Sequence, residues 1–151
     1  MTLHVVGIGS DTGDDQVGWL VANRLGKRRR DVQTFSCRAP MELLGRLPLG
    51  APLLIVDAVR SNRHPPGTVH QLQWPATNRL AAWGHPFTSH GLGLADALSL
   101  ADQLRLLPSP TLVWGIEIPE PVASPDLSAS VLAGVEALLQ AVDRDFPTQT
   151  P

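Results

Sequence analysis

Short runs of continuous apolar residues alternate along this chain with longer stretches in which apolar positions recur every three or four residues. Leu3 to Ile8 is the first such run; it ends at Gly9 and reads as a buried strand. Val17, Leu20, Val21 and Leu25 then follow at helical spacing. Asp14 and Asp15 precede them and suit the positive end of a helix dipole, while Lys27 to Arg30 suit its negative end. The basic run is read as a solvated helix end in preference to a docking patch. Val32 to Cys37 fits a second strand, and Met41 to Leu47 a short helix started after Pro40. Pro52 to Val56 is continuously apolar and closed by Asp57, as expected of a central parallel strand.

Pro65-Pro66-Gly67 marks a turn, and Thr68 to Leu72 an edge strand. Residues 74 to 90 read as a loop with room for a short helix, whose Trp and Leu side chains could serve docking. A helix is expected from Gly91 to Leu107, with Leu94, Ala95, Leu98, Ala101, Leu104 and Arg105 along its inner edge; Pro108 and Pro110 stop it. Thr111 to Ile116 reads as a third core strand. A proline-rich loop follows, and then a last helix from Leu127 to Phe146 carrying Val131, Val135, Leu138, Leu139 and Val142 on one face. Strands alternating with helices predict a three-layer α/β/α fold with a mostly parallel, roughly five-stranded twisted sheet. In such sheets ligands sit beyond the carboxyl ends of the strands.

Composition narrows the setting. The 151 residues fit a single domain spanning 1–151, and with 43% apolar and 17% charged residues the chain is globular in type. A net charge of -2 gives no reason to expect nucleic acid or a membrane as partner. Cys37 is the only cysteine, so an internal disulfide and a thiolate-rich zinc site are excluded. The opening residues have no basic region before their apolar run, and no apolar stretch nears the length of a membrane span. A cytoplasmic location is the expectation.

Candidate chemistry concentrates at strand ends. Gly7, Gly9 and Gly13 have the spacing GxGxxxG, a poor dinucleotide fingerprint, and Asp14 and Asp15 stand where a pyrophosphate would need bare N–H groups. The glycines are read as a tight turn that presents the acids. Asp57 either binds loop N–H groups or belongs to a site. His90, just before a helix, is either a polar surface residue or a ligand kept neutral by the helix dipole. Taken together, Asp15, Asp57 and His90 can face one crevice and would make an oxygen-rich site suited to a divalent transition metal. Ser10 is not in a nucleophile elbow. Arg38 could lower the pKa of Cys37, although a buried structural cysteine is the simpler reading. Glu117 could add a carboxylate to the crevice, but holding the following loop by backbone hydrogen bonds is the role expected of it.

Four blocks, in order, cover almost the entire chain and resemble the nickel–iron hydrogenase maturation proteases. VVGIGSDTGDDQVGWLVANRL is similar to that family's opening, and LLIVDAVRSNRHPPGTV to its second block. TSHGLGLADALSLA is similar to the third, and LVWGIEIPEP with LSASVLAGV to the last. Ser10 stands in place of the usual Asn, Gln16 in place of Gly, and Ile118 in place of Pro. The resemblance implies an endopeptidase that removes a C-terminal extension from the precursor of a hydrogenase large subunit. It implies that nickel is presented by that substrate and gripped by Asp15, Asp57 and His90, which are thereby both metal ligands and catalytic residues. A monomer is expected. A nickel checkpoint or chaperone without hydrolysis is the alternative.

Overall fold

The computed structural model describes residues 2–83, 93–119 and 126–148. Its five strands are β1 (Leu3–Ile8), β2 (Val32–Cys37), β3 (Leu53–Val59), β4 (Val69–Gln73) and β5 (Thr111–Glu117), lying side by side in the order β2-β1-β3-β5-β4. Every pairing is parallel except that of β4, the edge strand, which runs antiparallel to β5. The continuous apolar runs become the strands because both faces of the sheet are covered. All seven residues of β3 are buried.

Among the described residues four helices do the covering: α1 (Val17–Arg28), α2 (Thr77–Ala81), α3 (Leu94–Gln103) and α4 (Ala129–Asp145). On one face Val21 and Leu25 of α1 and Val135, Leu138 and Val142 of α4 pack over Val5, Leu54, Val56 and Ile116. On the other, Leu80 of α2 and Leu94 and Leu98 of α3 pack over Val6, Ile8, Ile55 and Val113. This is the three-layer arrangement that the alternating pattern predicts.

The helices are shorter than their apolar patterns suggest, and the reasons are local. The helix expected over 41–47 is instead a 3-10 segment, Pro40–Gly45, that leaves Arg46 and Leu47 outside it; its start is held by the Glu42 carboxylate, which accepts from the amides of Arg38 and Ala39 at 2.6 Å each. Helix α3 ends well before its prolines. The Arg105 amide donates to the Asp102 carbonyl and the Leu106 amide to Ala101, with Arg105 at φ 57° in the position glycine usually fills. Leu104, expected on the inner edge, is consequently 57% exposed. The expected start of this helix, Gly91, lies outside the described residues. No helix among the described residues is long and apolar enough to cross a membrane.

The strand order places a topological switch point. From β1 the chain moves outward through α1 to β2, then returns to β3 on the other side of β1. The carboxyl ends of β1 and β3 therefore carry connections that diverge, leaving a crevice between them. At that edge α1 lies against the sheet through Gly18, where a Cβ would run into the carbonyl oxygens of Ile8 and Val56. Only glycine permits this approach. It fixes the residues just before α1 over the ends of the two strands.

Candidate active site

The acid pair at the start of α1 divides its work. Gly13–Gln16 forms a single 3-10 turn ahead of α1 and packs against β3. The Ser10 amide donates to the Asp15 carbonyl at 3.3 Å, and a Cβ at Gly9 would strike that same oxygen. The turn after β1 is thus folded tightly back on the strand end, with Asp15 buried at 5% exposure. Asp14 points elsewhere. Its Oδ1 accepts from the Ser128 amide at 2.7 Å and from the Ser128 hydroxyl at 3.2 Å, which ties the turn to the start of α4.

Asp57 sits in the next strand over. β3 continues through it to Val59, so the carboxylate belongs to the strand's last residues instead of following them. Its Oδ1 accepts from the Ala58 amide at 2.8 Å, and the residue is 2% exposed. Leu53 and Ile55 face α3, and by strand alternation Asp57 faces the same way. There it lines a cavity of about 270 Å³ whose walls include Thr77 and Leu80 of α2, Trp83, and Leu94 and Asp96 of α3. Gly93, whose amide donates to Asp96 Oδ2 at 3.2 Å, also lines it.

His90, the third residue singled out by sequence, lies outside the described residues, and Gly93 in the cavity wall follows it by three positions in the chain. Asp15 and Asp57 stand at the ends of adjacent strands, but only Asp57 lines this cavity. Among the described residues no group of three His, Cys, Asp or Glu side chains is gathered to hold a metal ion.

Glu117 does not join Asp57. It is 1% exposed, and its carboxylate accepts from the Ser61 amide at 2.9 Å and the Ser61 hydroxyl at 2.5 Å. Its Oε1 also lies 3.2 Å from His70 Nε2. A carboxylate can only accept, so that ring nitrogen carries the proton and donates. Glu117 thereby ties the residues after β3 to the edge strand β4, and not the loop that follows Glu117 itself.

Neither the Ser61 hydroxyl nor the Cys37 thiol is set up as a nucleophile. The Ser61 hydroxyl is spent on Glu117 and does not engage an imidazole. Burial pushes the Cys37 thiol up to about 12, aided by Glu42 and Asp57 and opposed by Arg46. Arg38, the neighbour that could have lowered it, lies instead 4.9 Å from the ring centre of Trp19. Cys37 is a buried structural residue. The tryptophans expected to be free for docking are engaged as well: Trp74 Nε1 donates to Asp102 at 3.1 Å, and Trp83 stands 5.7 Å from the His70 ring. Trp83 and Asp96 were not legible as cavity residues, because neither carries a spacing signal and only the packing of α2 on α3 brings them beside Asp57.

Solved structures share this fold. The hydrogenase maturating endopeptidase HybD from E. coli superposes with a TM-score of 0.78 and 26% identity, over 97% of this chain and 94% of that one. An endopeptidase from Escherichia coli, solved in solution, gives 0.75 and 26%, over 100% and 98%. The NiFe hydrogenase maturation protease HybD from Thermococcus kodakarensis, at 17% identity, shares the fold with a TM-score of 0.71, over 95% and 98%. No family model and no curated protein sequence matches the chain. In fold along nearly its whole length, and in sequence at the level of the two Escherichia coli enzymes, the chain resembles the hydrogenase maturation endopeptidases.

Proposed function

We propose that this protein is an endopeptidase that trims the C-terminal extension of a nickel-loaded hydrogenase large-subunit precursor. The observation that carries the reading is the buried carboxylate of Asp57 near the carboxyl end of β3, lining a cavity of about 270 Å³ against α2 and α3 in an endopeptidase-like fold. The neighbouring strand end supplies Asp15. His90 precedes Gly93 of the cavity wall by three residues. Two carboxylates and a neutral imidazole are a donor set that a divalent ion such as nickel accepts while keeping its other positions for the substrate that presents it.

In this reading the metal arrives with the substrate, and Asp15, Asp57 and His90 grip it and draw the scissile peptide into the crevice. The apolar walls formed by Leu80, Trp83 and Leu94 limit bulk water around the bond, which strengthens the charge interactions within. Water is assigned as the nucleophile, since the Ser61 hydroxyl is held by Glu117 and the Cys37 thiol is pushed up to about 12.

The test is to incubate the purified protein with nickel-loaded and nickel-free precursor and weigh the products by mass spectrometry. Loss of one discrete C-terminal peptide from the nickel-loaded form alone is the expected result. Binding without cleavage would replace the peptidase by a checkpoint, and equal cleavage of both forms would remove nickel from the account.

A further inference from the structure

Trp83 is a wall shared by two cavities. On one side is the Asp57 cavity; on the other is a second one of about 210 Å³, lined among others by Arg63, His64, His70, Gln71 and Arg79. The chain as a whole has 14 acidic residues against 12 Lys and Arg. Yet the lining of this second cavity holds two arginines and two histidines and no Asp or Glu.

Several arginines elsewhere are engaged. Arg24 pairs with Glu136, Arg28 with Asp143 and Arg29 with Asp31, while Arg38 and Arg46 lie over Trp19 and Phe35. Among the described residues neither Arg63 nor Arg79 pairs with a carboxylate. The acid behind the cavity is Glu117, and its charge is directed inward by three donors: the Ser61 amide, the Ser61 hydroxyl and the ring of His70. That contact also fixes His70, which stands edge-on to His64 with ring centres 4.9 Å apart. The result is a rigid floor with two uncommitted guanidinium groups at its rim.

We propose that this second cavity is a subsite for a carboxylate of the polypeptide substrate, held by Arg63 and Arg79 while the neighbouring stretch of chain occupies the Asp57 cavity across Trp83. Guanidinium groups match carboxylates in planar, two-pronged geometry, which gives direction as well as attraction. That the bearer is a peptide to be cleaved rests on the peptidase reading. Binding of a carboxylate here does not.

The experiment is a titration of the full-length protein, free of metal and of precursor, followed by NMR at the Trp83 indole and the His64 and His70 rings. The probes are a short Asp- and Glu-containing peptide, the same peptide with Asn and Gln in their place, and inorganic phosphate. The acidic peptide is expected to shift these signals saturably. Its affinity is expected to fall at least about tenfold in the Arg63→Gln/Arg79→Gln protein, since each charge-assisted contact is worth roughly a factor of ten. Both positions are exposed, so the variant keeps its fold.

Equal binding by the neutral peptide, or unchanged affinity in the double variant, would overturn the subsite. Tighter binding of phosphate than of the acidic peptide would overturn it in favour of a small-anion site. Precursor cleavage without acidic-peptide binding would refute the subsite alone. Acidic-peptide binding without any cleavage would refute the peptidase reading and leave the subsite standing.

Discussion

Asp14 Oδ1 accepts a hydrogen bond from the amide of Ser128, 2.7 Å away in space and 114 residues further along the chain. Of two adjacent acids at the start of α1, one is therefore a brace that fastens the β1–α1 turn to the first turn of α4, and the other is left at the sheet edge. Replacing Asp14 with Ala removes this bond and the one from the Ser128 hydroxyl. The expected loss is about 1–2 kcal/mol, comparable to loss of a helix cap, measured by urea denaturation. Asp14→Asn retains an acceptor oxygen and is expected to recover much of that loss. Equal destabilisation by both substitutions would contradict the brace.

Glu117 should be costlier to remove. Glu117→Ala leaves the Ser61 amide and hydroxyl and the His70 ring without their acceptor in a buried place. A loss of about 3 kcal/mol or more is expected, in the range for breaking buried charge-assisted contacts. The β3–β4 connection should also become more protease-sensitive. If Glu117 were instead part of the chemistry at Asp57, activity would collapse with stability unchanged.

Gly18 is the contact on which the placement of Asp15 depends. A methyl group there meets the Ile8 and Val56 carbonyls, both held in the sheet and unable to yield. Gly18→Ala is expected to cost upwards of about 2 kcal/mol by overpacking. Cleavage should fall further than the loss of folded protein explains, because α1 and the turn before it must lift. A fully active, fully stable Gly18→Ala protein would show that the close approach is not needed.

Cys37 gives a pH signature. Its thiol is raised from 9.0 to about 12, chiefly by burial, so the folded state favours the neutral form. A raised acid stabilises the fold fully below its unfolded pKa and loses that contribution as pH rises toward the folded value. Wild-type protein is therefore expected to lose more denaturation midpoint than Cys37→Ala between pH 8 and 11. Cleavage at pH 8 should be unaffected by the substitution, and alkylation of the native thiol there should be slow. Rapid alkylation at pH 8 would indicate a reactive thiolate.

Much of this architecture could be read from the chain because β1, β3 and β5 are buried on both faces or nearly so, and burial on both faces writes itself as a mostly apolar run. Asp57 stood out as the acid that breaks such a run. Helix ends were harder. Arg105 adopts φ 57° and closes α3 where no glycine announces it, so the apolar pattern overran into Leu104. The second cavity left no trace in the pattern. Arg63 and His64 come from a turn, Arg79 from a five-residue helix, and His70 meets Glu117 only through the antiparallel pairing of β4 with β5. Contacts of that kind belong to topology, which residue spacing along one segment does not encode.

The account turns on the Asp57 carboxylate, and the most direct measurement is the cleavage rate of nickel-loaded precursor by Asp57→Asn beside wild type, with folding of the variant verified by its denaturation midpoint. The substitution keeps the size of the side chain and an oxygen for the Ala58 amide while removing the charge. A folded Asp57→Asn protein slowed by at least about a hundredfold, equivalent to roughly 2.7 kcal/mol of lost transition-state stabilisation, is the expected result. A folded variant that trims the precursor at the wild-type rate would contradict the assignment of this cavity as the active site.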